Sequence, residues 1–129
     1  MNIPTLAVIA APSDSLRYSL QALLARLPQI DSIQSVEETR SMLAALAAAH
    51  PTLVVLDVNL LGDETAPVLA QIKTIAPRAR TVVLVDHIDQ QQALQAASAD
   101  LVLLKGYPAA ELFNIIERLL AQDDPGANQ

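Results

Sequence analysis

Three charged residues follow directly on short aliphatic runs of the sequence. Asp57 comes after "LVVL", Asp86 after "TVVLV" and Lys105 after "LVLL". A lone charge at the end of a buried strand is costly, so proteins usually pair such a group or use it. Two carboxylates can bind a cation, and an ammonium nearby competes for the same place. The pattern indicates either a working carboxylate at position 57 or an ion pair between Asp57 and Lys105.

Five predicted strands must position these residues, and each is followed by a helical pattern. The strands are expected at residues 5–10, 30–36, 52–57, 80–86 and 100–105. The first helix shows apolar residues at helical spacing and is predicted to close at Pro28. Ser35 and Glu38 have the spacing of a capping box ahead of the second helix, which Pro51 ends. Pro67 and Pro108 stand early in the third and last helices, where a missing N–H does no harm.

The near-continuous aliphatic strands predict a parallel sheet that is buried on both faces. The fold class is therefore α/β, with helices on each side of the sheet. In such folds ligands bind beyond the carboxyl ends of the strands. Ala10, Ala11, Asp57, Asp86 and Lys105 all fall at those ends, and we expect them to meet at one rim of the sheet.

Composition excludes several classes of protein. The 129 residues suit one compact domain, and 52% are hydrophobic, which rules out a disordered chain. No apolar run approaches the roughly 18 residues of a membrane span, and no cysteine is present, so we expect a cytoplasmic protein without disulfides. The net charge of −6 and the 2% aromatic content predict that the domain does not bind nucleic acid or a membrane.

The chain from about Thr5 to Leu120 resembles the receiver domain of two-component response regulators, especially receivers that precede a helix-turn-helix output domain. The resemblance depends on "LVVLDVNLLG" (53–62), "LRYSLQALL" (16–24) and "DLVLLKGYPAAELFNIIERLL" (100–120). It implies a flavodoxin-like (βα)5 three-layer sandwich with a five-stranded parallel sheet of order 2-1-3-4-5. The receiver-like domain would span residues 1–121, and residues 122–129 would form a polar tail or linker.

The resemblance also implies roles for individual residues. In that family an Asp at the end of strand three accepts a phosphoryl group from a histidine kinase, and Asp57 occupies that position. A Lys at the end of strand five contacts the phosphate, and Lys105 matches it. A carboxylate nucleophile on a rigid strand and a neighbouring cation suit phosphoryl transfer.

The departures from the family pattern lie at the positions that bind metal and switch conformation. Receivers carry an acidic pair after strand one that holds Mg²⁺. This chain has Ala10-Ala11 or Ala11-Pro12 there, depending on how the loop is aligned. The Thr or Ser of strand four matches Val85, and the aromatic switch residue of strand five matches Val102. Leu61 and Gly106 stand where many members have Pro. Magnesium binding is expected to be weak or absent, with no other cofactor.

Three functions remain open from the sequence. The leading one is a pseudo-receiver, a non-enzymatic signalling module that acts by protein–protein interaction without phosphorylation. The second is an atypical receiver that is phosphorylated at Asp57. The third is a phosphatase or another small flavodoxin-like enzyme, which the three glycines and the lack of further acidic ligands disfavour. Restoring Asp at positions 10 and 11 is expected to lower stability without metal and to create a gain with Mg²⁺.

The resemblance also implies the kind of partner. A histidine kinase or another regulator would bind the domain, and a homodimer would form through helix four, strand five and helix five. That face is expected to expose a set of polar side chains, namely Gln91, Gln95, Asp100, Tyr107 and Arg118. With Val102 in place of an aromatic switch, association through this face is expected to be constitutive.

Overall fold

The computed structural model describes residues 5–95 and 99–121 and contains one five-stranded sheet of order β2-β1-β3-β4-β5. Every neighbouring pair of strands is parallel. This arrangement confirms the predicted α/β flavodoxin-like topology. The strands are β1 (Leu6–Ala10), β2 (Ser32–Val36), β3 (Leu53–Asp57), β4 (Arg80–Val85) and β5 (Leu101–Leu104).

Five helices connect or follow the strands, as the helical pattern after each strand predicts. They are α1 (Asp14–Leu24), α2 (Thr39–Ala49), α3 (Thr65–Ile75), α4 (Ile88–Gln95) and α5 (Ala109–Ala121). A one-turn helix (Val58–Leu61) and a 3-10 turn (Gly62–Glu64) stand between β3 and α3. The sequence analysis missed both, because a four-residue turn is too short to show a helical period.

The sheet is buried on both faces, in two apolar layers. Alternate residues of each strand point to opposite faces. One layer joins the sheet to α2, α3 and α4 through residues such as Leu46, Leu69 and Leu94. The other joins the sheet to α1 and α5 through residues such as Leu24 and Ile116. The resulting three layers explain why β1 and β3 to β5 are almost uninterrupted aliphatic runs.

One predicted helix cap and one predicted helix end are wrong. Ser35 does not cap α2, because it pairs with Ile9 in the parallel ladder of β1 and β2. Glu38 is the residue that precedes α2, and its side chain makes no capping hydrogen bond. The first helix ends at Leu24, before Pro28, and Leu27 is buried in the turn that follows. Tertiary pairing and packing override the local signals in both places.

The C-terminal segment and the length of the helices were also considered in the sequence predictions. The predicted polar tail, residues 122–129, lies outside the described residues. Within 5–95 and 99–121, no helix is both long and apolar enough to cross a membrane.

Replacing His50 with Gly should stabilise the fold. His50 ends α2 with φ 50 and ψ 62, and it is the only residue other than glycine with a positive φ in the described ranges. A side chain in this left-handed conformation costs about 1 kcal/mol, which glycine avoids. We expect His50→Gly to raise the free energy of unfolding in urea by about 0.5–1 kcal/mol with an unchanged m value. His50→Ala is the control, since it keeps Cβ; an equal gain in both variants would contradict the explanation.

Candidate functional site

Asp57 is a buried carboxylate at the carboxyl edge of the sheet. It is the last residue of β3, lies beside Leu84 of β4 and is 3% exposed. Its backbone is extended, and its Oδ1 accepts a hydrogen bond of 2.9 Å from the backbone N–H of Asn59. Asp57 thereby caps the one-turn helix that follows β3. One backbone donor does not neutralise a buried negative charge, so the carboxylate needs a cation.

Lys105 supplies that cation and joins Asp57 to Asp86. Its Nζ lies 2.7 Å from Oδ1 of Asp57 and 3.0 Å from Oδ1 of Asp86. The backbone N–H of Lys105 donates to the carbonyl of Val85 at 3.0 Å, which fixes the lysine where β5 ends. The predicted pairing of Asp57 with Lys105 is present, and Asp86 is brought to the same ammonium. We call these three residues the charged triad; its formal charges leave a net negative charge.

The triad shifts the pKa of two of its members. The hydrogen bond from Lys105 holds the pKa of Asp86 below its ordinary value of 3.8, and the Asn59 side chain acts in the same direction, while burial opposes both. For Lys105, burial is the largest single influence and lowers the pKa. The bonds to Asp57 and Asp86 together outweigh it and raise the pKa above 10.5. Each shift favours the charged form.

A glutamine holds the loop that carries Asp86. Oε1 of Gln90 accepts hydrogen bonds from the backbone N–H groups of Asp86, at 3.0 Å, and His87, at 3.1 Å. These two donors lie just after β4 and just before α4, so the glutamine cap sets the position of Asp86 relative to Lys105. Gln90 was not predicted from the sequence, although a Gln at the third position of a helix is one half of the capping-box pattern.

The end of β1 presents uncharged side chains to this rim. Ala10 and Ala11 are completely buried, and the N–H of Ala11 donates to the carbonyl of Val36 at 3.1 Å. Pro12, and neither alanine, lines the shallow cleft above the triad. The other lining residues of that cleft are Ser13, Ser15, Leu16, Ser19, Asp57, Asn59 and Lys105. Of the two alignments of this loop, the Ala11-Pro12 pair is therefore the one that reaches the cleft.

Arg17 of α1 holds the same loop through a hydrogen bond to its backbone. Its Nη1 donates to the carbonyl of Ala11 at 2.7 Å, and its Nη2 pairs with Asp14 and, at 3.3 Å, with Glu37. The Arg17 side chain is only 13% exposed. The sequence analysis did not single out Arg17, although its spacing from Asp14 in the first turn of α1 is that of a helical ion pair.

Val85 and Val102 are core residues. They are 0% and 1% exposed, and both pack in the layer that contains α4. Nε2 of Gln91 donates to the carbonyl of Val102 at 2.8 Å, which ties α4 to β5. Gln91 is therefore only partly exposed, in contrast to the prediction.

The other residues of the predicted partner face differ in how exposed they are. Asp100 is also turned inward, since its Oδ2 accepts from the N–H of Thr81 at 2.7 Å. Tyr107 is 38% exposed, and Arg118 is exposed as expected. The side chain of Gln95 lies outside the described residues.

The described residues contain no cluster of three or more His, Asp or Glu side chains that could hold a metal ion. The chemistry at the rim rests on Asp57, Asp86 and Lys105. A carboxylate at the end of a rigid strand can act as a nucleophile when a cation offsets the incoming negative charge. In the observed geometry that cation is already bonded to both carboxylates.

Comparison with solved structures places the fold among receiver domains. The isolated REC domain of RcsB from Salmonella enterica serovar Typhimurium, solved with the phosphomimetic BeF3−, has a TM-score of 0.81 at 14% identity, over 95% of this chain and 92% of that one. A DNA-binding response regulator of the LuxR family from Staphylococcus aureus has a TM-score of 0.77 at 18% identity, over 89% and 98%. No protein-family model and no curated protein matches the chain. At these identities the similarity establishes the CheY-like receiver fold.

Removing the ammonium of Lys105 should destabilise the protein through Asp57. Lys105→Met leaves a buried carboxylate with one backbone donor, at a cost of about 1–3 kcal/mol in the free energy of unfolding. The control is Lys73→Met, because the Lys73 side chain is 43% exposed and its Nζ lies 3.9 Å from Oδ1 of Asp100. This variant should lose less than about 0.5 kcal/mol in the free energy of unfolding. Adding Asp57→Asn to Lys105→Met should recover much of the loss. Equal losses for the two lysine variants in urea melts would contradict the pairing.

Asp86 should contribute stability that disappears in acid. Its pKa is lowered in the folded state, so its contribution is present above 3.8 and is lost as the pH falls through the folded value. The pKa of Lys105 is raised, so its contribution is lost only at alkaline pH. The free energy of unfolding of the wild type, measured in urea, should therefore exceed that of Asp86→Asn by about 0.5 kcal/mol at neutral pH, as for a partly exposed ion pair. Near pH 2 the two free energies should be almost equal. Asp89→Asn, on the same helix end, serves as the control. A difference that grows in acid would reverse the sign we expect.

Proposed function

We propose that this chain is a receiver-like signalling module that acts by protein–protein interaction and does not depend on Mg²⁺-dependent phosphorylation. The observation that carries the proposal is the position of Lys105, whose ammonium is bonded at 2.7 and 3.0 Å to the two carboxylates of the rim. This internal cation satisfies Asp57 without a metal ion. The receiver fold supports the signalling role, since its solved neighbours include a REC domain and a DNA-binding response regulator.

The donor set does not suit magnesium. Mg²⁺ requires near-octahedral oxygen ligands and gives up its water reluctantly. Asp57 and Asp86 would have to exchange Lys105 for the metal. The loop after β1 contributes Pro12, which has no side-chain oxygen, and the other oxygens that line the cleft belong to uncharged Ser and Asn side chains. Asp14 is no substitute, because its carboxylate pairs with Arg17. Phosphoryl transfer to Asp57 would then face two carboxylates with one ammonium as counter-charge, so we expect it to be very slow.

The side chains around β4 and β5 favour a constitutive surface. Val85 has no hydroxyl to bond a phosphoryl group, and Val102 is a buried aliphatic residue that has no aromatic ring to rotate outward. Gln91 ties α4 to β5 at the carbonyl of Val102. We propose that a histidine kinase, another regulator or a second copy binds the face formed by α4, β5 and α5 in one conformation, with Tyr107 and Arg118 as exposed contacts.

A second candidate function is that of an atypical receiver phosphorylated at Asp57. The observation in its favour is that Asp57 and Lys105 lie at the same edge of the sheet, with the carboxylate nucleophile next to a cation. The two proposals differ in one measurable property, which is a phosphoryl group on Asp57.

Incubation with acetyl phosphate and Mg²⁺ should leave the protein unchanged. We expect no gain of a phosphoryl group in the intact mass and no change in sedimentation coefficient. We also expect no melting shift with ~10 mM MgCl₂ and beryllofluoride beyond an ionic-strength control, whereas a millimolar site would give about 1 kcal/mol. Asp57→Asn should likewise leave sedimentation unchanged.

A gain-of-function variant sharpens the test. Ala11→Asp with Pro12→Asp places the acidic pair where the loop reaches the cleft, and Ala10→Asp with Ala11→Asp is the matched pair buried one position earlier. We expect the first pair to be less stable without metal and to gain stability with Mg²⁺. The gain that the sequence predicts for Asp at positions 10 and 11 should be smaller, because Ala10 is completely buried and does not line the cleft. Phosphorylation of the unmodified protein, lost in Asp57→Asn, would establish the second candidate function instead.

A further inference from the structure

A groove between α1 and α5 opens beside the charged triad, and neither candidate function assigns it a ligand. Leu84 of β4, which packs in the layer of α1 and α5, lines the groove, and Leu104 borders it at the carboxyl end of β5. Leu20 and Leu23 of α1 form one wall, and Leu112 and Phe113 of α5 form the other. The groove has a volume of about 420 Å³, within the range of roughly 300–1,000 Å³ that small-molecule sites occupy.

The groove has an apolar body and a cation at one end. Arg26 lies just beyond α1, with its guanidinium carbon 5.6 Å from the centre of the Phe113 ring. Contact with the ring face leaves the N–H edge of a guanidinium free to bind an anion. Within residues 5–95 and 99–121, Arg26 makes no ion pair and no side-chain hydrogen bond. It is an unpaired cation in a domain of net charge −6.

At the other end of the groove, the cation is already paired with carboxylates. Lys105 lines both the groove and the cleft above Asp57. Its ammonium is bonded to two carboxylates, so an incoming anion would meet net negative charge there. An anionic ligand is therefore directed toward Arg26, and its apolar part toward the leucines between the two ends.

We propose that this groove binds a small amphipathic anion, with one carboxylate or sulfonate on an aromatic or aliphatic body. The acid group bonds to Arg26, and the body packs on Phe113 and against Leu20 and Leu23. Because Lys105 borders the groove, a bound molecule contacts the residue that holds Asp57 and Asp86 together. The proposal is independent of phosphorylation, since its residues other than Lys105 take no part in the charged triad.

Anilinonaphthalene sulfonate is a suitable probe, because it combines an aromatic body with one sulfonate. We expect the native chain to bind it with an increase in fluorescence, and Arg26→Gln to raise its Kd about tenfold, as for loss of a charge-assisted hydrogen bond. Arg40→Gln removes an exposed arginine of α2 that does not line the groove and should leave the Kd unchanged. Phenylnaphthylamine lacks the sulfonate and should bind equally to wild type and Arg26→Gln.

A filled groove should abolish binding of both probes. Ser19 is exposed and lines the groove, so Ser19→Phe should occupy the space while the melting curve remains cooperative. In amide NMR spectra the sulfonate probe should shift signals of α1 and α5 and spare those of α2 and α3. Binding that is insensitive to both Arg26→Gln and Ser19→Phe would overturn the proposal. A dimer that Ser19→Phe dissociates would also overturn it, because a second copy would then be the occupant.

Discussion

The arrangement of the functional edge depends on one interaction, the bond between the Lys105 ammonium and the buried carboxylate of Asp57. A carboxylate that is 3% exposed is stable as an anion only beside a positive charge. That charge comes from the end of a different strand, two positions away in the sheet. Because the same ammonium also bonds Asp86, the ends of β3, β4 and β5 are joined by a single cation. The pKa shifts of Lys105 and Asp86 are consequences of this shared contact.

Side chains that bond to the backbone hold the surrounding loops in place. Arg17 fixes the loop after β1, Gln90 fixes the loop after β4, and Gln91 joins α4 to β5. Buried or partly buried backbone groups must be satisfied, and a long polar side chain can do this where no strand or helix continues. Loops that are fixed internally need no bound metal to order them, which agrees with a module whose partner surface exists in one conformation.

The receiver fold alone is compatible with several functions, because one fold can carry several activities. The side chains at the rim restrict the candidate functions further. The alternatives for this chain differ in whether Asp57 is a nucleophile or a partner of Lys105, and both use the same strand ends. The ligand site proposed between α1 and α5 would add a separate input, since the groove ends at Lys105 and carries Arg26, which has no ion pair within residues 5–95 and 99–121. The groove and the proposed partner face meet at Tyr107, which lines the groove, so a bound small molecule would touch the border of the surface proposed for a protein partner.

The sequence by itself determined the five strands, the five long helices and the placement of Asp57, Asp86 and Lys105 at strand ends. These features follow from hydrophobic periodicity, which local sequence records directly. Only the tertiary structure decided that one ammonium bonds both carboxylates, that Pro12 lines the cleft, and that Arg17 donates a hydrogen bond to the carbonyl of Ala11. These contacts join residues from different elements, and their distances depend on strand order and helix packing. The same reason explains the failed cap at Ser35, where pairing with β1 overrode a local signal.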